Sequence, residues 1–248
     1  MDNRAFEDFK IWFKQEMEKE GEFRKKILNG ISLILHRFPT AYPMNRFTFG
    51  GVLENLLVIL SNSYGYGGIT QVGDEKGSIG YDLVISGSDH INHQEPADDQ
   101  LALVSLKSSF SKSKSFNLTN YQSKKSPRKK IPPKYDTIFV IAEFGFVFVP
   151  ASSWEEIGGI VYGESASSIP CNLIKKFGSQ HPDMLIRAPE IPICSKNGAH
   201  DYNFEKAMEI AQLIGVEPCA SAQRRLKEHK ILSNSKPTNF YQHGLFSW

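Results

Sequence analysis

The sequence predicts an α/β (α+β) fold: a central mixed β-sheet of four or more strands, flanked by helices and followed by a helical C-terminal part. Three observations predict it. Apolar residues recur at helical spacing up to residue 60, aliphatic and aromatic runs of strand length lie between 81 and 149, and helical spacing returns after residue 200. With 248 residues and 40% hydrophobic content the chain can bury a sizeable core. It divides into N-terminal helices over 1–45, a sheet-bearing core over 46–195 and a C-terminal helical segment over 196–248, together one compact domain.

Residues 5–20 place Phe6, Phe9, Trp12, Phe13 and Met17 on one helical face, with Lys and Glu between them. Such a face packs on its own core or serves as a dimer surface. Residues 22–37 continue in helical fashion through Phe23, Ile27, Ile31, Leu33, Ile34 and Leu35, and Pro39 and Pro43 end the pattern. The stretch 46–60 reads as a largely buried helix that carries a single acid, Glu54. A lone carboxylate there must be paired or ligating, because an unpaired buried charge is costly. The glycine-rich segment 61–68, with Tyr64 and Tyr66, reads as a loop that either approaches a phosphate backbone or simply connects elements. Residues 69–72 form a short strand.

Two apolar runs, 81–85 and 101–107, read as a hairpin joined by the polar segment 87–99. Asp82 opens the first strand. Ser105 and Lys107 close the second, and strand alternation turns both to one face while Val104 and Leu106 take the other. Two readings fit this group. It is a pair of solvated strand ends, or it is the centre of a metal-dependent phosphodiesterase. In the second reading Asp82 holds a divalent cation, Lys107 orients and acidifies the attacking water, and Ser105 offers a hydroxyl. From Ser105 to Lys134 there are nine Lys or Arg and no Asp or Glu, a composition suited to a polyanion. Lys112, Lys114, Lys124, Lys125, Arg128, Lys129, Lys130 and Lys134 are its candidate DNA-binding residues. The net charge of +2 conceals this local excess.

The order of these elements, a helix with Glu54, Asp82 opening a strand, then Ser105-Leu106-Lys107 closing the next, resembles the PD-(D/E)XK nuclease superfamily, particularly type II restriction endonucleases. The resemblance covers roughly residues 49–150. It implies a restriction-endonuclease-like core and a Mg²⁺-dependent, sequence-specific endonuclease that hydrolyses double-stranded DNA as a homodimer. Asp82 and Glu54 would be its metal ligands, and Glu54, Asp82, Ser105 and Lys107 its catalytic set. Ile79-Gly80-Tyr81 replaces the proline that often precedes the Asp, and Ser105 stands where the second acid usually sits. Glu54 therefore supplies the second carboxylate, ahead of Glu143, Asp98 and Asp99. The alternative is a non-catalytic nucleic-acid-binding protein with a degenerate nuclease core. A nuclease of repair or RNA processing would share the chemistry and differ in substrate.

The remainder of the chain gives weaker signals. Residues 117–123 suit a short helix, 135–144 an apolar central strand and 145–149 its partner after a tight turn; Ser153 has capping-box spacing to Glu156. Met184-Leu185-Ile186 suits another strand, and His181 and Asp183 read as a surface loop pair rather than a metal site. Helices are predicted over 201–214 and 220–232, the second carrying Arg224, Arg225, Lys227, His229 and Lys230 and either meeting DNA or packing on the domain. Three scattered cysteines argue against a structural zinc site and a disulfide framework. There is no Walker-type phosphate loop and no nucleophile elbow. The polar, acidic start lacks signal-peptide character, so a cytoplasmic location is expected.

Overall fold

The computed structural model describes residues 3–19, 21–37, 45–72, 81–87, 101–110, 115–118, 133–162 and 167–193. The predicted C-terminal helices therefore lie outside the described residues, as do Asp98 and Asp99 and the greater part of the basic stretch.

Helices α1 (Arg4–Glu18), α2 (Glu22–Arg37) and α3 (Asn45–Ser63) precede strands β1 (Ile69–Gln71), β2 (Leu83–Ser86), β3 (Leu101–Ser109), β4 (Ser115–Leu118), β5 (Asp136–Ile141) and β6 (Gly145–Val149). The chain continues through a one-turn helix α4 (Trp154–Ile157), β7 (Val161–Tyr162), β8 (Ser167–Pro170), α5 (Cys171–Gln180) and β9 (Leu185–Arg187). The described strands make a six-stranded sheet in the order β1-β2-β3-β5-β6-β9 and a three-stranded sheet in the order β4-β8-β7. In the larger sheet β3 and β5 run parallel and every other neighbouring pair is antiparallel, so the predicted mixed sheet is present. The predicted hairpin is β2 with β3, Leu83 opposite Val104.

Each face of the large sheet has its own core. The α1, α2 and α3 side buries Phe6, Phe9, Phe13, Phe23, Ile27, Ile31, Val52, Leu53 and Leu57 against Leu83, Val104, Ile138, Phe146 and Phe148. The other side buries Phe116, Phe139, Ile141, Val147, Trp154, Ile169, Ile174 and Phe177. Every residue of β5 is buried, as a central strand covered on both faces should be. The aromatic face of α1 thus belongs to the protein's own core and not to a dimer surface. Phe13 lies 5.1 Å from Phe146 and 5.4 Å from Phe23 between ring centroids, both edge-to-face, the arrangement that aromatic quadrupoles favour.

Several local expectations are corrected. Helix α3 runs on to Ser63, and Tyr66 is buried, donating to the Ser86 carbonyl at 3.0 Å, with the Ala5 carbonyl within 3.4 Å. Burial, reinforced by the Asp8 charge, pushes its phenol above the ordinary range, so Tyr66 remains a neutral donor inside the core and is no phosphate contact. Residues 115–118 form a strand, because Phe116 and Leu118 alternate into the second core opposite β8, so the helix expected over 117–123 does not include 117 and 118; residues 119–123 lie outside the described residues. Ser153 makes no capping hydrogen bond, and the helix after it is a single turn. Strand β8 and helix α5 carried no clear sequence signal, since Pro170 sits between them; it leads into α5 at the N-cap position. His181 and Asp183 lie, as expected, in the loop after α5, where His181 meets Glu156 at 2.8 Å and Asp183 lies 3.9 Å from Lys10. Cys171 is a buried free thiol, and burial raises its pKa, which makes it a poor nucleophile.

The β5–β6 turn depends on Gly145, whose φ of +134° lies in a region L residues rarely adopt. A Cβ there would stand 2.1 Å from the Ile186 carbonyl oxygen. Gly145→Ala should destabilise the protein by at least about 1–3 kcal/mol in denaturant titration, with the β6–β9 pairing first to loosen. Far along the chain, Arg24 of α2 donates to Glu190 at 2.9 Å, and this hydrogen bond holds the Glu190 carboxyl below its ordinary range. A depressed carboxyl stabilises the fold above its unfolded pKa and loses that contribution as pH falls through its folded value. Wild type should therefore exceed Glu190→Gln by about 0.2–1 kcal/mol at neutral pH, as for exposed pairs. The two melting curves should converge in acid.

Candidate active site

The site is built by β3. As the strand runs from Leu101 to Ser109 it pairs with β2 on one side only as far as Val104, while on the other side β5 accompanies it from Val104 to Ser109. Beyond Val104 the β2 side of the ladder has ended, and the backbone N–H of Leu106 has no strand to donate to. Asp82, at the bend just before β2, fills that place: its Oδ2 accepts from Leu106 N at 2.7 Å. The same oxygen accepts from Ser105 Oγ at 3.0 Å and lies 3.4 Å from Lys107 Nζ. Three donors thus converge on one carboxylate oxygen. Asp82 Oδ1 has no hydrogen-bond partner among the described residues.

Alternation in β3 explains why these groups meet. Val104 and Leu106 enter the core under α1–α3, and Ser105 and Lys107 turn to the opposite face. Ser105 is buried, whereas the side chains of Lys107 and Asp82 are 18% and 28% exposed, so the pair is reachable from solvent yet partly shielded from it. A charged pair in that setting feels more of its mutual attraction than one at the open surface.

Glu54 occupies a different position from the other three. It projects from α3 toward the edge strand β1, where Gln71 Nε2 donates to its Oε2 at 2.7 Å; Gln71 in turn accepts from Asn55 Nδ2 at 2.6 Å. Gln71 pairs with Leu83, the neighbour of Asp82, and Val72 N donates to the Asp82 carbonyl. Glu54 thereby lies near the same end of the β1–β2 pair but on the α3 face of the sheet, which Gln71 shares with Ile69, whereas Asp82 reaches Ser105 and Lys107 of the opposite face, and no described contact joins the two carboxylates. Glu143, exposed on the otherwise buried β5–β6 turn with φ of +55°, makes no described contact with Asp82. Among the described residues no three His, Cys, Asp or Glu side chains form a metal cage. A hard cation such as Mg²⁺ is commonly held by one or two carboxylates, with water and substrate phosphate completing its shell. Asp82 Oδ1, without a hydrogen-bond partner among the described residues, is one such carboxylate oxygen; Glu54 Oε2 is engaged by Gln71.

Of the predicted DNA-binding residues, Lys134 is described: it is exposed at the entry to β5. Lys112, Lys114, Lys124, Lys125, Arg128, Lys129 and Lys130 lie outside the described residues. Two features were not anticipated from sequence. One is the Asn55–Gln71–Glu54 chain of hydrogen bonds. The other is the contact between Tyr81 and Tyr135, whose rings lie 5.3 Å apart at 64°. Their signal was position alone, since Tyr81 immediately precedes Asp82 and Tyr135 immediately precedes β5. No protein-family model, curated protein or solved structure matches this chain. No described helix is long and apolar enough to cross a membrane.

Because Asp82 receives the Leu106 N–H at the end of a ladder, it contributes to the fold whatever else it does. Asp82→Ala should cost about 1–3 kcal/mol, the penalty for stranding a shielded donor. Asp82→Asn retains an acceptor oxygen and should cost less; urea titration of the two variants separates these outcomes.

Proposed function

We propose that the protein is a Mg²⁺-dependent endonuclease that hydrolyses phosphodiester bonds of double-stranded DNA at specific sequences, in the manner of the type II restriction enzymes its motif resembles. The observation that carries this reading is the meeting of Asp82, at the entry to β2, with Ser105 and Lys107 of β3, the Lys ammonium 3.4 Å from a carboxylate whose second oxygen has no partner among the described residues. The stretch of nine bases and no acids that begins at this strand adds the charge needed to hold a polyanion.

In this reading Asp82 would hold the cation, with Glu54 as the second carboxylate that the resemblance implies. When bound, Mg²⁺ supplies charge for the phosphate oxygens and lowers the pKa of water. The protein groups do the positioning. Ser105 Oγ and Leu106 N fix the Asp82 carboxylate from one side, so Oδ1 is presented in a set direction. Lys107, which contacts Oδ2, would orient the attacking water and balance negative charge developing on the phosphate. Two copies of the chain acting together would cut both strands of a palindromic site, which the resemblance implies.

A second reading has its own observation. Asp82 already serves as the acceptor for an orphan strand N–H, and no described contact brings Glu54 to it; both suit a nucleic-acid-binding protein with a degenerate core. One experiment separates the two. Purified protein is incubated with plasmid and phage DNA, with Mg²⁺ or with EDTA, beside Lys107→Ala. The nuclease reading expects discrete fragments from wild type with Mg²⁺ only, and a rate lowered at least about 100-fold in Lys107→Ala. Salt-sensitive binding with no fragments under any condition would instead establish the degenerate core.

A further inference from the structure

The aromatic pair next to Asp82 leads to a cavity that the cleavage chemistry does not use. Val104 is paired with Asp136, so Tyr135 stands beside Leu103, on the strand face that carries Ser105 and Lys107. The Tyr81 ring packs edge-on against it from the side of Asp82. Tyr135 also lines a cavity of about 300 Å³ whose walls include Leu101, Leu103 and Asp136, with Lys134 and Ser152.

The lining has a definite chemistry. Leu103 is one of the few large apolar side chains exposed among the described residues, at 37%, and with Leu101 and the Tyr135 ring it gives the cavity apolar surface. The polar groups within are committed to the fold: Asp136 Oδ1 accepts from Ala151 N at 2.8 Å, and the Asn3 side chain caps α1 while donating to the Leu101 carbonyl. Lys134, exposed, reaches no described carboxylate. An uncharged planar ring attached to an anion is the ligand this suits, the ring against tyrosine and leucine and the anion on the lysine.

We infer that this cavity accepts one nucleobase of the strand held at Asp82 and Lys107, with Tyr135 stacking on the base and Lys134 meeting the adjacent phosphate. The inference rests on the nucleic-acid reading proposed above. It adds that the bound strand is locally unstacked, because a base within a duplex cannot reach a side-chain cavity without leaving its stack. Tyr135 and Lys134 are positioning residues in this account, and Tyr81 braces Tyr135.

The test is metal-free binding of a labelled single-stranded oligodeoxynucleotide, followed by fluorescence anisotropy across a salt series. Tyr135→Ala and Tyr135→Leu should weaken binding roughly five- to hundredfold at unchanged salt slope, since a ring without charge is lost. Tyr135→Phe should bind as wild type does. A strand of the same length made entirely of abasic nucleotides should bind wild type and Tyr135→Leu alike. Lys134→Ala should lower the salt slope by about 0.7, one phosphate contact. Unchanged affinity in a Tyr135→Leu variant that melts like wild type would overturn the inference and leave the nuclease reading standing. Failure of the wild type to bind the single strand would also overturn the inference, whereas the nuclease reading, which concerns duplex DNA with Mg²⁺, falls only if the plasmid assay gives no fragments.

Discussion

The pairing of β3 on both of its edges is the constraint on which the rest depends. On one side β2 accompanies it antiparallel and stops at Val104; on the other β5 accompanies it in parallel and begins there. The stagger leaves Leu106 N without a backbone acceptor on the β2 side, and Asp82 is the group that supplies one. Because strand alternation is fixed once the register is fixed, Ser105 and Lys107 then have no choice of face. A one-residue slip would bury the ammonium under α3 and expose Leu106, so the hydrophobic core enforces the site geometry. The same stagger sets Tyr135 beside Leu103 and makes the wall of the neighbouring cavity.

The polar groups that are buried or shielded are handled in two ways. Some are paired for the fold alone: Tyr66 donates to Ser86, Asp136 accepts from Ala151, and Lys10 meets Glu7 although its own side chain is only 6% exposed. At Asp82 the pairing is lopsided, with three donors on one oxygen and none described on the other. The Asp82 side chain is 28% exposed, so Oδ1 is reachable by water or by a ligand.

Much of the fold was legible because its periodicities are strong. The aromatic spacing of α1, the apolar runs of β2, β3, β5 and β6 and the lone acid in α3 all read directly from sequence, and Ser105 and Lys107 were placed on one face by alternation alone. What sequence did not show has identifiable causes. Phe116 and Leu118 alternate over too few residues to separate strand from helix, and Pro170 breaks the pattern between β8 and α5. The partner of Glu54 was hidden because the demand of a shielded carboxylate can be met by any nearby donor, and the amide of Gln71 lies 17 positions away. Tyr66 misled because a tyrosine between glycines resembles an exposed loop residue until the hairpin carbonyl it donates to is known. The Tyr81–Tyr135 contact joins strands distant in sequence, which no local pattern encodes.

Whether Asp82 is a ligand or merely the end of a ladder is the question on which the functional account turns. The most direct measurement is titration of Mn²⁺, as a spectroscopic stand-in for Mg²⁺, into the protein with a duplex oligonucleotide present, following the free-ion paramagnetic resonance signal. The account predicts protein-dependent Mn²⁺ uptake by wild type that is lost in Asp82→Asn, with the melting temperature of the variant showing it to be folded. Equal uptake by the two proteins, or none by either, would contradict it and leave Asp82 as a structural acceptor only.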